Sequence, residues 1–271
     1  MFQDKTLLYI CQNFVFDMLI DTHSHIYSDD FSHDLDDVVQ NAYNNNVKKI
    51  ILPNINSGTV KRLLDLADSY PHLCFPLMGL HPTSVAPDYK EELEAMEYWL
   101  DKRKFYGIGE IGIDLYWDKT YVKEQTDAFR YQVQLAKSKQ LPIVIHLRNS
   151  FDEVYNVIKE EQDGSLKGIF HCFSGDESEA KKIINLGFLL GIGGVLTFKN
   201  SRLDEVVENF GLENLVLETD APYLAPVPKR GRRNESAYLV YIAQKLAEIY
   251  AVPVEKVAEI TSANARSLFG I

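Results

Sequence analysis

LIDTHSH, Leu19–His25, is the stretch on which the reading of the fold turns. A short apolar run of strand character closes in a polar segment, and no G-x-G-x-x-G follows it. A doubly wound nucleotide-binding sheet would carry its phosphate-binding turn at this point, so the first strand argues against that architecture. The same stretch places His23 and His25 two apart in a chain with only seven histidines. Side chains alternate faces in an extended segment, so these two point the same way. Two neutral imidazoles on one face can clamp a divalent ion, or they can be ordinary polar residues ending a strand.

Outward from this stretch, short β-rich runs alternate with helical patterns. After Leu19–His23 the expected strands are Val47–Pro53, Cys74–Gly79, Tyr106–Ile111, Pro142–His146, Gly168–Cys172, Phe188–Gly193 and Leu215–Asp220. Several are nearly continuous apolar runs, as parallel strands covered on both faces require. The segments between them are long enough for right-handed crossovers and carry helical spacing. SGTVKRLLDLADSY begins with Ser57 as an expected N-cap. Eight strands, seven intervening helices and a helical tail from about Glu235 predict a (β/α)8 TIM barrel of the α/β class, with the open doubly wound sheet as runner-up. Residues 1–17 are expected to be an N-terminal extension and 18–271 one domain, without repeats or a dividing linker.

Composition narrows the function. Apolar residues make up 46% and charged residues 25%, an ordinary globular mixture. No apolar run approaches the ~20 residues of a membrane span, and the first residues lack a basic signal-peptide start. Cys11, Cys74 and Cys172 are odd in number and far apart, which excludes a disulfide framework and fits a cytoplasmic protein. With 28 basic against 39 acidic residues the net charge is −11, so a broad phosphate-binding surface is excluded and any nucleic-acid contact must be local.

The chemistry gathers where the strands stop. His23 and His25 close the first, Glu110 in GIGEIGID the fourth, His146 the fifth, His171 the sixth and Asp220 the eighth. Polar residues at these strand ends converge on the mouth of a barrel. Buried carboxylates without partners are costly, so such a set calls for a cation. Imidazole and carboxylate together admit Zn, Mn, Ni, Co or Mg.

The chain from about Met18 onward resembles the TatD-type metal-dependent deoxyribonucleases of the wider amidohydrolase superfamily. The pieces are IDTHSHI, GLHP (Gly79–Pro82), GEIGID (Gly109–Asp114), PIVIHLR (Pro142–Arg148), HCFSG (His171–Gly175), ETDAPYLAP (Glu218–Pro226), RGRRNES (Arg230–Ser236) and NARSLF (Asn264–Phe269). Ser236 departs from the proline usual there, a change expected to leave the metal site unaffected. The resemblance implies two divalent metal ions: His23, His25 and Asp220 on the first, His146 and His171 on the second, Glu110 bridging both. It implies catalysis by Asp220 and Glu110 through a hydroxide activated by two metals. Asp220 is the expected proton acceptor, with pure ligation as the alternative.

The expected activity is cleavage of DNA phosphodiester bonds, as a 3′-exonuclease on single-stranded ends. The alternative is hydrolysis of a carboxylic ester, lactone or amide, D-aminoacyl-tRNA included, by the same metals. A metal-bound scaffold without turnover is disfavoured by the complete ligand set. His81 is read as a phosphate contact or a loop cap, and Arg148, Arg230, Arg232 and Arg233 as substrate contacts. KRGRRN is the one compact basic patch, read as a guide for phosphates or as a solvated loop. Asp114 is read as an orienting group or a turn residue, and Tyr116 and Trp117 as a stacking surface or loop packing. Cys172 is expected to face the helix layer, and His33 and His72 to be solvated. No membrane and no obligate protein partner are implied, and the chain is expected to be a monomer.

Overall fold

The computed structural model describes residues 18–271, so the expected extension at 1–17 lies outside the described residues. Eight parallel strands are β1 (Leu19–Asp21), β2 (Val47–Leu52), β3 (Cys74–Pro76), β4 (Ile108–Asp114), β5 (Ile143–Arg148), β6 (Gly168–Phe170), β7 (Leu189–Ile192) and β8 (Leu215–Leu217). The crossovers carry α1 (Leu35–Asn44), α2 (Val60–Ser69), α3 (Tyr89–Lys102), α4 (Val122–Lys139), α5 (Phe151–Glu161), α6 (Glu177–Asn185) and α7 (Leu203–Val207). The tail is α8 (Leu239–Tyr250) and α9 (Val254–Phe269). Among the described residues no helix is long and apolar enough to cross a membrane.

The strands are apolar on both faces because both are buried. On one face Ile20, Ile51, Phe75, Val144, Ile169 and Val216 form a cluster with Leu77 that Ala265 and Phe269 of α9 complete. The tail is therefore part of the core. On the other face Ile50, Leu52, Ile143, Ile145, Leu190 and Leu217 pack with the helices.

The strands form two ladders, β1-β2-β3 and β4-β5-β6-β7-β8. Hydrogen bonds cross both seams between them. At one, Met78 and Ile108 bridge in parallel and the Gly109 amide donates to Met78 O at 3.0 Å. At the other, Ser24 and Ala221 bridge, Thr22 N donates to Leu217 O at 2.9 Å, and Asp220 N donates to His23 O at 2.9 Å.

Buried Asp21 fastens the second seam. Its Oδ1 accepts from Thr219 N at 2.9 Å and its Oδ2 from Thr219 Oγ1 at 2.6 Å. Burial pushes this carboxyl up to about 7, against the hydrogen bonds from Thr219 and Ser236 that pull it down. A folded value above the unfolded one means that protonation favours folding. The contribution is complete below pH ~4 and is lost as pH rises through about 7. Asp21→Asn is uncharged throughout and can still accept from Thr219 N. Its melting temperature relative to the parent should rise between pH 5 and pH 8, and parallel melting curves would show that no buried charge is relieved.

Local expectations differ from the structure: β1, β3 and β8 end at Asp21, Pro76 and Leu217, short of the expected His23, Gly79 and Asp220, and β5 runs past His146 to Arg148. β4 runs on to Asp114 instead of ending near Ile111, which makes Asp114 a strand residue. α2 is preceded by Thr59, whereas Ser57 donates both its amide and its hydroxyl to Glu92, at 2.8 and 2.7 Å. β6 stops at Phe170, and Cys172 adopts a left-handed φ of 50°. Strand alternation does not extend past that turn, so Cys172 lines a cavity instead of facing the helices.

Candidate metal centre

Glu110 is buried on β4, and five imidazoles converge on its carboxylate. Its Oε1 lies 2.8 Å from His146 Nδ1, 2.9 Å from His171 Nε2 and 3.4 Å from His81 Nε2. Its Oε2 lies 3.1 Å from His23 Nε2 and 3.4 Å from His25 Nε2. Asp220 Oδ1 stands 3.8 Å from Nε2 of both His23 and His25. These residues come from or just beyond β1, β3, β4, β5, β6 and β8, and the stacked rings of His23 and His171, 3.8 Å apart, close the cluster.

Most of these imidazoles have their second nitrogen fixed from outside. His25 Nδ1 meets Tyr27 Oη at 3.0 Å, and that hydroxyl donates to Pro53 O. His146 Nε2 meets Asp114 Oδ2 at 3.0 Å, and His171 Nδ1 meets Glu218 Oε1 at 3.3 Å. Glu218 Oε1 also accepts from Cys172 N at 2.5 Å. Outer partners of this kind set tautomer and ring orientation at metal-binding histidines. His81 differs: its Nδ1 accepts the backbone N–H of Thr83 at 3.1 Å, so Nε2 carries the proton and is a donor. The loop cap and the hydrogen bond aimed into the site are thus one and the same arrangement.

The electrostatics follow from burial and crowding. Burial alone would raise the Glu110 carboxyl, but the charges of His81, His171 and His23 hold it well below the carboxylate range. Burial, joined by repulsion from His171, drives His23 well down. Against burial, Glu110 and Glu218 push His171 well up. Asp220 is pushed up to about 6, mainly by burial.

The donor set fits a cation. The Nε2 atoms of His23 and His25 face each other at 3.2 Å beside a carboxylate oxygen, where mutual donation is impossible. Buried His23 Nδ1 and Glu218 Oε2 have no hydrogen-bond partner among the described residues. Ligand atoms lie within 4.8 Å of one another in three groups: His23, His25 and Asp220; His23, Glu110 and His171; His81, Glu110 and His146. The protonated Nε2 argues against His81 as a ligand in the third.

The cluster opens into a cavity of about 700 Å³ that Arg62, Arg148, Trp117 and Tyr223 also line. Arg230, Arg232 and Arg233 are not among the residues that line it. Arg233 is held by Asp34 at 2.6 Å, and Arg230 lies over the Phe198 ring at 3.8 Å. Ser236 is buried with its hydroxyl 3.3 Å from the Oγ of Ser24, which lies between the first two histidines in sequence. His33 and His72 are exposed, as expected. Sequence reasoning missed Tyr27, Glu218 and Arg62. Tyr27 and Glu218 sit two residues from His25 and Asp220, so closeness in sequence was the signal for them; Tyr27 lies in a turn and Asp220 has a left-handed φ, where strand alternation does not reach.

Gly191 on β7 leaves the room that Glu218 occupies, since a Cβ there would overlap Glu218 Oε2 and come within 3.0 Å of the His171 Cα. Gly191→Ala should lower stability by ~1–3 kcal/mol, as overpacking does. By tilting His171 it should also weaken metal binding about 10- to 100-fold. Calorimetry and metal titration read the two effects, and an unchanged metal affinity would free His171 from any dependence on Glu218.

A parallel α/β fold with a buried histidine–carboxylate cluster at its strand ends is the arrangement of a metal-dependent hydrolase. Within that class the chain belongs to the family described as TatD related DNase, whose model matches residues 20–270. It is 36% identical to the uncharacterized metal-dependent hydrolase YabD of Bacillus subtilis, over 94% of this chain and 100% of the relative. It is 32% identical to the 3′-5′ ssDNA/RNA exonuclease TatD of Salmonella typhimurium, over 93% of this chain and 99% of the relative. The crystal structure of the TatD homologue YjjV of Escherichia coli superposes with a TM-score of 0.88 at 30% identity, covering 93% of this chain and 98% of that one.

Proposed function

We propose that the two ladders close into one (β/α)8 barrel whose mouth hydrolyses phosphodiester bonds at single-stranded nucleic-acid ends. One juxtaposition carries this reading: the Glu110 cluster shares its cavity with two phosphate donors, His81 Nε2–H and Arg148. Two arginines line this cavity: Arg62 is paired with Asp29, whereas Arg148 makes no ion pair among the described residues. An unpaired guanidinium beside a cation site suits a phosphate better than a neutral ester.

The residues divide the work. His23, His25 and Asp220 would hold one divalent ion and His146 and His171 a second, with Glu110 within reach of each set. When bound, such a pair supplies a water acidic enough to attack near neutral pH and neutralises a phosphoryl oxygen. The Asp220 carboxylate would accept the proton of the attacking water. His81 and Arg148 orient the phosphate. A cavity of about 700 Å³ has the size of a small-ligand site, so it admits a terminal nucleotide more readily than the middle of a duplex. The single-strand activity named for the Salmonella relative supports the choice of end.

The test is turnover on single-stranded DNA labelled at either end, beside a closed single-stranded circle and a panel of esters and lactones. Stepwise loss from the 3′ end with the circle intact is expected. Cutting of the circle at the linear rate would overturn the end-directed reading, and turnover of esters alone would overturn the nuclease reading.

A further inference from the structure

Beyond the cluster, the cavity rim carries an exposed aromatic ledge. Trp117 is 70% exposed and Tyr116 52%, in a molecule whose other tryptophan, Trp99, packs against the core. The two rings meet edge to face at 4.9 Å, and the Arg148 guanidinium lies 3.7 Å from the Tyr116 centroid and 5.3 Å from that of Trp117. Trp117 and Arg148 both line the cavity.

The ledge is tied to the site through one side chain. Asp114 Oδ1 accepts the backbone N–H of Tyr116 at 2.9 Å and that of Trp117 at 3.3 Å. Its Oδ2 faces His146 Nε2 at 3.0 Å. Asp114 is itself buried and held in the β4–β5 ladder opposite Arg148. The aromatic backbone, the guanidinium and a histidine of the cluster are therefore fixed relative to one another. An exposed indole that served only to pack the loop would be covered by the chain, and this one is not.

A flat apolar plane beside an unpaired guanidinium matches one nucleotide unit, a base and its phosphate. We infer that Trp117 is the platform on which an unpaired base of the substrate strand stacks while the cluster holds the scissile phosphate. This rests on the nuclease reading and specifies it: the enzyme requires an unstacked base near the end, whatever its identity. Duplex DNA presents its bases already stacked and paired, so the ledge discriminates against it without any base-specific contact. Stacking does not read the sugar, so DNA and RNA ends should use the ledge alike.

The experiment separates the ledge from the activity. Trp99→Phe leaves Trp117 as the only tryptophan, and short oligonucleotides with hydrolysis-resistant phosphorothioate linkages, deoxy and ribo, are titrated against its fluorescence. Bases near the 3′ end should quench the emission, whereas the same strands made abasic over their last few positions should not. With cleavable substrates, Trp117→Ala should raise KM for the intact strand about 10- to 100-fold, the cost of one lost stack. Its KM for the abasic strand should match that of the parent, and Trp117→Phe should restore most of the difference. Equal quenching by intact and abasic strands, or equal KM losses on both, would overturn the platform. Absence of any cleavage of either strand would overturn the nuclease reading, while the quenching comparison would still decide the platform.

Discussion

Glu110→Gln should lose metal before it loses its fold. Five imidazoles lie within 3.4 Å of this carboxylate, and no other group among the described residues touches as many members of the cluster. Replacement by the amide removes a charge that the proposed metal pair shares. It also turns an acceptor of hydrogen bonds into a mixed donor and acceptor facing several donors. Substituting an outer partner of a metal site typically costs about 10- to 100-fold in affinity, and a shared inner ligand should cost more than that on both ions. Turnover should fall in proportion to metal content and return partly at high metal concentration. The metal-free protein should also be less stable, since His171 loses the nearer of its two carboxylates. Metal content per chain, measured beside kcat over a metal titration, reads the effect. Full metal content with undiminished turnover would remove Glu110 from the centre of the site.

This cluster was legible in the sequence because strand alternation and strand order are. His23 and His25 share a face by the two-residue repeat, and each later ligand stands where an apolar run gives out. The strand bounds were less legible. His146 lies inside β5 and Glu110 inside β4, because backbone pairing continues past each of them, with Ile111 and Ile113 still buried beyond Glu110. The β4–β5 register slips between Ile108 and Ile111, an irregularity that depends on the partner strand. Cys172 was misplaced for a related reason: alternation holds only while φ stays extended, and a left-handed residue resets it. The basic patch was legible only as a run of four cations: the acid that pairs with Arg233, Asp34, and the ring under Arg230, Phe198, are remote from it in sequence. Arg148 stands out only in three dimensions, as the cavity-lining arginine without an ion pair among the described residues.

Asp220→Asn separates holding an ion from accepting a proton. Asp220 has a left-handed φ of 56°, a conformation that asparagine tolerates better than other residues with a side chain. Its backbone is fixed independently of the side chain, by Asp220 N donating to His23 O at 2.9 Å and Tyr223 N donating to Asp220 O at 2.8 Å. At 3.8 Å from His23 and His25, its Oδ1 is beyond hydrogen-bond distance, so the amide breaks no direct bond there. The variant should therefore fold like the parent, and its amide oxygen can still ligate. What it cannot do is take the proton of the attacking water. Without metal, burial pushes the Asp220 carboxyl up to about 6, and a bound dication would draw it back down. General-base help is typically worth ~10²–10⁴ in rate, so kcat should drop by that factor with most of the metal retained. Asp220→Gly, equally at ease with the left-handed backbone, removes ligand and base together and should lose metal as well. Comparing metal content and kcat across the two variants assigns the role. If Asp220→Asn turns over like the parent with its metal bound, Asp220 is a ligand only, and the proton leaves by another route.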